Sequence, residues 1–243
     1  MRAAVVSDIH GNLPALEAAL AQIDAAQPDA IWCLGDLVGY GPWPNEVTEL
    51  VRERADLCLV GNHDLVALGT AGVDVEEFNP EAAAAARWTM RELSPATRDY
   101  LGSLAPQASR DGAGLYHASP RDPVWEYVLT PDGASAAFAT APERVILVGH
   151  SHVALAFSLE DDRLQGGVAP AGTEVELSVR HLLNPGSVGQ PRDSDPRAAW
   201  LMLDLAEGRA RFERVEYDLR RAQDEIRARG LPQGLADRLA VGL

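Results

Sequence analysis

Residues 1–60 of this 243-residue chain predict an α/β fold built on a largely parallel sheet. Short apolar segments alternate there with longer segments of helical periodicity, in the order strand, helix, strand, helix, strand. This alternation is typical of parallel sheets whose connecting helices pack outside the sheet. Because 47% of the residues are hydrophobic, the chain can bury a large core, and we expect a single domain over residues 1–243.

The segments at the start of the chain also place polar residues at strand ends. Asn12 is suited to cap the first helix from its N-terminus. Asp8, Asp36 and Asn62 each follow a predicted strand, at the edge where open α/β sheets bind ligands. The predicted elements are a strand over 3–7, a helix over 13–26, a strand over 30–34, a helix over 44–54 and a strand over 57–60.

The middle and the end of the chain predict a helical insertion and a second sheet. The insertion covers about 65–110, with one helix over 81–93 after Asn79-Pro80 and another from Ser94-Pro95 to about residue 104. Two strands then end at candidate ligands, the first over 114–116 before His117 and the second over 145–148 before Gly149-His150. Strands over 154–159, 174–179, 198–204 and 209–215 predict the second sheet, and a final helix is expected over 219–229.

Charge and composition limit the partners and the chemistry. A formal net charge of -15 disfavours a long nucleic acid, whose phosphates need a clustered cationic surface. All 21 basic residues are arginines, which excludes a lysine Schiff base and the phosphate-binding lysine of a P-loop. Cys33 and Cys58 form no CxxC pair and are expected to be buried free thiols. With no signal peptide and no apolar stretch near the ~20 residues that span a bilayer, we expect a soluble, cytoplasmic protein with no membrane partner.

Five short motifs distribute metal-binding residue types along the chain. Asp, Asn and His are hard-to-borderline ligands, and the set has the right size to hold two divalent ions for metal-assisted hydrolysis. Each motif alone also fits a structural role, such as a turn for the aspartates or a hydrogen-bonded core histidine. All five fall at predicted strand ends, which favours the metal site. The motifs are Asp8-x-His10, Gly35-Asp36, Gly61-Asn62-His63-Asp64, His117 and Gly149-His150-Ser151-His152.

In this order, the five motifs resemble those of the calcineurin-like metallophosphoesterase superfamily, in its small bacterial and archaeal phosphodiesterase-like branch. The resemblance implies a four-layer αββα sandwich of two mixed β-sheets flanked by helices, with a dinuclear metal centre. Two divalent ions are expected, with manganese favoured and Fe, Zn, Ni or Co as alternatives. The resemblance implies that Asp8, His10, Asp36 and His152 hold one ion and that Asp36, Asn62, His117 and His150 hold the other, with Asp36 bridging.

The expected reaction is phosphoester hydrolysis, in which a hydroxide bridging the two ions attacks phosphorus in line. His63 lies beside a ligand without being one, so we expect it to protonate the leaving oxygen or to stabilise charge on the phosphoryl group. Asp64 is a candidate to orient the His63 ring by accepting its second N–H. Arg192 and Arg121 are candidates to bind the phosphate.

Further segments bear on the substrate. Residues 35–41 lack the arginine of the phosphoprotein phosphatase motif G-D-x-V-D-R-G, which disfavours that activity. Residues 184–191, which begin with Asn-Pro-Gly-Ser, resemble the N-P-G-S loop of the small phosphodiesterase-like members and are either a tight structural turn or a substrate contact. Tyr40, Trp125 and Tyr127 either stack on a base or belong to the packing.

The sequence therefore predicts a phosphoesterase for small phosphodiesters or phosphoanhydrides, with a small phosphorylated substrate such as a nucleotide. A dinucleoside polyphosphate hydrolase and a phosphoprotein phosphatase are the enzymatic alternatives. A catalytically silent binding protein and a structural zinc protein are the alternatives without catalysis, although structural zinc sites favour cysteine-rich shells that this chain lacks. Nothing in the sequence indicates an oligomeric state.

Overall fold

The computed structural model describes residues 1–70 and 75–243, and it contains two mixed six-stranded sheets with helices on their outer faces. The predicted αββα sandwich is confirmed. In chain order, the described elements are β1 (Arg2–Val6), α1 (Leu13–Ala26), β2 (Ala30–Cys33), α2 (Pro44–Arg54), β3 (Leu57–Cys58), α3 (Asn62–Leu68), a 3-10 turn (Val75–Glu77), α4 (Pro80–Glu92), α5 (Pro95–Gly102), β4 (Gln107–Arg110), β5 (Ala113–Tyr116), α6 (Pro131–Thr140), β6 (Val145–Leu147), β7 (Ala154–Glu160), β8 (Arg163–Val168), β9 (Glu174–Glu176), β10 (Arg180–Pro185), β11 (Ala198–Asp204), β12 (Arg209–Val215), α7 (Leu219–Ala228) and α8 (Gln233–Leu239).

The first sheet has the strand order β3-β2-β1-β11-β12-β9. Strands β1, β2 and β3 are parallel, as the alternating segments predict. We expected β9, β11 and β12 in the second sheet, and this was wrong. They join the first sheet because β11 pairs antiparallel with β1, with Ala3 opposite Leu203. Alternation of apolar residues predicts a strand but carries no information about its pairing partner.

The second sheet has the strand order β4-β5-β6-β10-β7-β8. Its central strand β10 escaped prediction because the segment RHLLNP has only a short apolar run between polar residues. The edge strands β4 and β8 are mostly exposed and polar, so they lack the alternating pattern as well. Strand β4 forms from the last residues of the predicted helical insertion.

Helix start signals in the sequence are confirmed by side-chain caps. The side chain of Asn12 accepts a hydrogen bond from Ala15 N at 3.2 Å, and Asn79 and Ser94 cap α4 and α5 in the same way. The expected final helix ends at Ala228 as α7, and a further helix, α8, follows it. Helices α3 and α6 were also missed, since they are short and carry no clear apolar stripe. None of the described helices is both long and apolar enough to cross a membrane.

Three apolar layers hold the sandwich together. Alternate residues of β1 point in opposite directions, so Val5 packs between the sheets and Val6 packs against the outer helices. The second outer layer places α6 against the second sheet, with Phe138 at its centre. Cys33 is buried in the helix-side layer of the first sheet, whereas Cys58 is only partly buried, and both thiols are free.

The inter-sheet layer generates a stability prediction. Leu203 is fully buried between the sheets, so Leu203→Ala removes buried apolar surface and leaves a cavity. We expect the free energy of unfolding, measured by chemical denaturation, to fall by about 2–5 kcal/mol. The control is Val168→Ala on β8, where the side chain is 62% exposed. Its effect should stay within about 0.5 kcal/mol, and equal losses for the two variants would contradict the assignment of the core.

Candidate metal centre

The loops that carry the candidate ligands have unusual backbone conformations. Positive φ angles occur at Asp8 (54°), His10 (50°), Asp36 (55°), His150 (62°) and His152 (60°). Residues other than glycine rarely adopt positive φ angles, and each such residue costs about 1–3 kcal/mol of conformational free energy. Backbone hydrogen bonds hold the loops in place, including one from Asp8 N to the Gly35 carbonyl at 3.0 Å. Five of the eleven non-glycine residues with positive φ in the described structure are thus candidate ligands.

Two groups of side chains bring potential ligand atoms within 4.8 Å of one another. All the side chains in both groups are buried, and Asp36 belongs to both. Asn62 lies beside the second group, with its Oδ1 3.1 Å from Nε2 of His117. The structure thus brings together all seven ligands implied by the sequence motifs. The first group is Asp8, His10, Asp36 and His152, and the second is Asp36, His117 and His150.

The ligand atoms converge on Asp36 and Asp8. Oδ2 of Asp36 lies 3.6 Å from Nε2 of His10 in the first group and 3.6 Å from Nε2 of His117 in the second. Oδ1 of Asp8 lies 3.5 Å from Nε2 of His152, and the Nε2 atoms of His10 and His152 are 3.0 Å apart. One carboxylate oxygen thus faces a histidine of each group, as a bridging ligand requires.

Backbone carbonyls set the ring orientation of each candidate ligand histidine. In three of the rings Nδ1 lies within hydrogen-bond distance of a carbonyl, so that Nδ1–H donates and the Nε2 lone pair faces the ligand group. His150 uses the opposite arrangement, which leaves its Nδ1 for the group. The pairs, at 2.7–3.2 Å, are His10 with Val38, His117 with Leu34, His152 with Gln190 and His150 with Trp125.

Two buried carboxylate oxygens show that these residues fit cations. Oδ1 of Asp8 and Oδ2 of Asp36 have no hydrogen-bond donor among the described residues. Burial raises the pKa of Asp8 to about 7, and burial together with the nearby Asp64 raises the pKa of Asp36 well above its ordinary value. Buried anionic oxygens without donors are costly unless a cation compensates them. The mixed nitrogen and oxygen donors match Mn, Fe, Zn, Ni or Co.

Three of the candidate ligand histidines, His10, His150 and His152, are held in the form that binds metals. Burial lowers the pKa of His150 to about 2, and burial followed by the charge of Arg192 lowers the pKa of His10 and His152 well below the ordinary value. Neutral imidazole is the form of histidine that ligates a metal ion. These three rings are therefore ready to accept a cation without first losing a proton.

His63 lies at the cavity beside the ligand groups. Its ring centroid is 4.8 Å from that of His10, 4.4 Å from that of Tyr40 and 4.5 Å from that of Phe78. Gly39 allows this packing, because a Cβ at that position would lie 2.7 Å from Nδ1 of His63. Burial, then the neighbouring His10, lowers the pKa of His63 well below its ordinary value.

Asp64 does not have the role we expected. Its two oxygens accept hydrogen bonds from the backbone N–H groups of Val38, at 3.0 Å, and Gly61, at 2.9 Å. Asp64 therefore joins the loop after β2 to the loop after β3 instead of orienting the His63 ring. Adjacency in sequence suggested the wrong partner, since the first turn of α3 directs neighbouring side chains in different directions.

The two candidate phosphate-binding arginines differ in position. Arg192 lines the cavity, and its Nη2 donates to Gln190 Oε1 at 2.9 Å and to the Tyr40 hydroxyl at 3.3 Å. Arg121 was a wrong candidate: its guanidinium is half exposed, forms an ion pair with Glu126 and does not line the described cavity. Sequence reasoning also missed Arg238 of α8, which lines the cavity but belongs to no motif.

The cavity beside the ligand groups has a volume of about 350 Å³. Tyr40, Trp125 and Tyr127, the predicted stacking residues, all line it, and Phe78 joins them. Tyr40 is buried against the histidines, which supports a packing role. Tyr127 is half exposed and stacks on His150 with ring centroids 4.0 Å apart, so it offers a free aromatic face at the rim.

The Asn-Pro-Gly-Ser segment is a structural turn. Nδ2 of Asn184 donates to the Gly149 carbonyl at 2.7 Å, and the Ser187 hydroxyl donates to the Asp8 carbonyl at 2.6 Å. Both side chains are fully buried and tie two ligand loops together. Of the two readings that the sequence left open, the structural one is favoured.

Three comparisons relate the chain to known proteins. A family model described as the calcineurin-like phosphoesterase superfamily domain matches residues 1–208. An uncharacterised protein of Methanocaldococcus jannaschii is 38% identical over 244 residues, which cover 98% of this chain and 97% of that protein. The crystal structure of a metallophosphoesterase from Sphaerobacter thermophilus is 40% identical with a TM-score of 0.90, and the match covers 100% of this chain and 99% of that one.

A shorter segment matches a nucleotide hydrolase. The symmetrical bis(5'-nucleosyl)-tetraphosphatase of Yersinia enterocolitica is 44% identical over 64 residues. That segment amounts to 25% of this chain and 22% of the other protein, so the two share a local match only.

The contact between Gly61 and Asp36 generates a prediction about metal binding. A Cβ at Gly61 would lie 2.1 Å from Oδ1 of Asp36, so Gly61→Ala must displace that carboxylate without removing any ligand. We expect metal affinity to fall by about 10–100-fold, the range for loss of a supporting contact. Metal content after Mn²⁺ loading and desalting measures the effect. Gly167→Ala, which meets no atom within 4 Å, is the control. Undiminished metal in folded Gly61→Ala would contradict the assigned role of Asp36.

Proposed function

The chain belongs to the calcineurin-like phosphoesterase superfamily, and from this premise we propose that it is a dinuclear metal-dependent phosphoesterase acting on small phosphodiesters or phosphoanhydrides. The observation that carries the proposal is the position of Asp36. Its Oδ2 is buried, lacks a donor among the described residues and faces one histidine of each ligand group at 3.6 Å. Such an oxygen is suited to bridge two cations. We further propose that residues 1–243 act as one domain.

The proposed metal ligands are the residues that the motifs imply. Two divalent cations held there would polarise a phosphoryl oxygen and lower the pKa of coordinated water. The donor set supports manganese as the first choice and Fe, Zn, Ni or Co as alternatives. Asp8, His10, Asp36 and His152 would hold one cation, and Asp36, Asn62, His117 and His150 the other.

His63 and Arg192 are the proposed groups that act on the substrate. In the reaction, water oxygen bonds to phosphorus, the bond from phosphorus to the leaving oxygen breaks, and the leaving oxygen takes up a proton. His63 lines the cavity beside Asn62 and is placed to donate that proton or a hydrogen bond to a phosphoryl oxygen. Arg192, in the same cavity, is placed to hold the phosphoryl oxygens through its planar guanidinium.

The size and depth of the site favour a small substrate. A cavity of about 350 Å³ lies within the range of small-molecule sites, and the ligand groups are buried beneath it. This argues against a phosphorylated side chain on a folded protein, as does the missing motif arginine. A catalytically silent binding protein is disfavoured because the donor set is complete and His63 lines the cavity.

A dinucleoside polyphosphate hydrolase is the second candidate. The local match to a bis(5'-nucleosyl)-tetraphosphatase favours it, and so does the aromatic wall formed by Phe78, Trp125 and Tyr127. Aromatic faces of this kind are suited to stack on a nucleobase.

Metal removal tests the proposed dependence. We expect a chelator to abolish turnover of bis-p-nitrophenyl phosphate and added Mn²⁺ to restore it, because bound divalent cations would lower the pKa of the attacking water and polarise the phosphoryl oxygen. Metal analysis before and after chelation is the control. Hydrolysis that persists after the metal has been stripped would contradict the proposal.

Replacement of His63 tests its catalytic role. His63→Ala should keep its bound metal, since His63 belongs to neither ligand group, yet lose about 10²–10⁴-fold in kcat on bis-p-nitrophenyl phosphate. His181→Leu is the matched control, because this sixth histidine is buried in β10 away from the cavity. An unchanged kcat in metal-loaded His63→Ala would remove His63 from the mechanism.

A further inference from the structure

Two arginines, Arg192 and Arg238, line the cavity. Nη2 of Arg192 donates to the neutral oxygens of Tyr40 and Gln190, and Nε of Arg238 donates to the main-chain oxygen of Leu243. Among the side chains that the structure describes, neither guanidinium forms an ion pair with an Asp or Glu, and no lining residue of the cavity is acidic. Two positive side chains therefore face one cavity in a chain whose formal net charge is -15.

The placement of these charges is unfavourable in the absence of an anion. Nε of Arg192 is buried and has no acceptor within the described part of the chain. Burial, followed by the charge of Arg192, lowers the pKa of Arg238, while Tyr40 and Glu81 act in the opposite direction. The net effect is that the two guanidinium groups disfavour each other. A buried guanidinium N–H without an acceptor, close to a second cation in the same cavity, is suited to an anionic ligand that neutralises both.

The two arginines come from different parts of the structure. Arg192 adjoins the ligand groups, because its backbone N–H donates to the His152 carbonyl at 3.1 Å. Arg238 lies on α8, which Leu235 and Leu239 pack against the core of the first sheet. Helix α8 follows residue 208, where the match to the family model ends. The second arginine therefore reaches the cavity from outside the matched family segment.

We propose that Arg192 and Arg238 bind two linked phosphoryl groups, with Arg192 on the group at the metal centre and Arg238 on the next one. A guanidinium fork binds phosphoryl oxygens with two parallel hydrogen bonds, and two forks in one cavity match a diphosphate. A simple phosphodiester engages Arg192 alone. Among the proposed substrates, the cavity thus selects phosphoanhydrides. This inference rests on the proposed function for the location of the reacting phosphorus.

A pair of nucleotides that differ by one phosphoryl group tests the proposal. Binding of AMP and of adenosine α,β-methylene diphosphate, which resists cleavage at its P–C–P bridge, is measured by calorimetry on the full chain with Mn²⁺. Both ligands share the nucleoside, so contributions of the base cancel in the ratio of their Kd values. We expect Arg238→Gln to weaken the diphosphate analogue by about 10–100-fold, the range for one charged hydrogen-bonded contact, and to change AMP binding less than about twofold.

Control variants separate this role from a general effect. Arg220→Gln, on the exposed face of α7, should leave both affinities unchanged. Arg238→Lys keeps the charge but loses the fork, so it should recover part of the lost affinity. If Arg238→Gln does not fold, the test uses the ratio of the two nucleotide Kd values measured for Arg238→Lys. Equal weakening of both nucleotides, or of neither, by a folded variant would overturn the proposal.

Turnover separates this inference from the proposed function. If wild-type protein with Mn²⁺ hydrolyses neither bis-p-nitrophenyl phosphate nor a dinucleoside polyphosphate, the proposed function fails, while the binding ratio still decides the role of Arg238. If both substrates are hydrolysed and Arg238→Gln lowers kcat/KM for the polyphosphate alone, the proposed function and the role of Arg238 are both supported. Equal kcat/KM losses on the two substrates would support the proposed phosphoesterase function but contradict a contact between Arg238 and the second phosphoryl group.

Discussion

The burial of two carboxylates, Asp8 and Asp36, is the constraint on which the rest of the structure depends. Each is inaccessible to solvent and keeps one oxygen without a hydrogen-bond donor in the described chain. An uncompensated buried charge costs several kcal/mol, on the order of the net stability of a domain. The surrounding structure nevertheless holds both in place, through strained loops and through histidines turned by backbone carbonyls. A pair of divalent cations is the compensation that this arrangement fits.

Each of the two sheets contributes candidate ligands, and the packing of the sheets brings these two sets of ligands together. Asp8 and Asp36 follow strands of the first sheet, whereas His117 and His150 follow strands of the second. The backbone N–H of His150 donates to Oδ2 of Asp8 at 3.1 Å, so a direct hydrogen bond crosses between the sheets at the ligands themselves. Ser187 adds a second link by donating to the Asp8 carbonyl. The geometry of the ligand groups therefore depends on the inter-sheet core, because sliding of the sheets would separate the ligand atoms.

How far the sequence predicts this structure depends on the range of the interactions involved. Helix α2 was predicted with its observed bounds, and the seven candidate ligands lie together, because caps, periodicity and strand-end motifs are local signals. The pairing of β11 with β1, by contrast, joins segments about 200 residues apart and leaves no local trace. The roles predicted for Asp64 and Arg121 rested on residue type and on neighbours in the sequence. In the structure, Asp64 instead accepts a hydrogen bond from Val38, which is distant in sequence, and Arg121 forms an ion pair with the nearby Glu126. Arg238 carries no motif, so only the packing of α8 reveals it.

The charge distribution explains how an acidic protein can bind an anionic substrate. A net charge of -15 acts at long range, but salt screens it over roughly 10 Å, whereas a guanidinium inside a cavity acts at contact distance. The surface charge therefore disfavours an extended polyanion, which would have to lie across many acidic residues. A short phosphorylated molecule meets only the residues of the cavity, where Arg192 and Arg238 are the charged groups among those described. The proposed preference for small substrates thus depends on where the arginines lie, and not on the overall balance of charge.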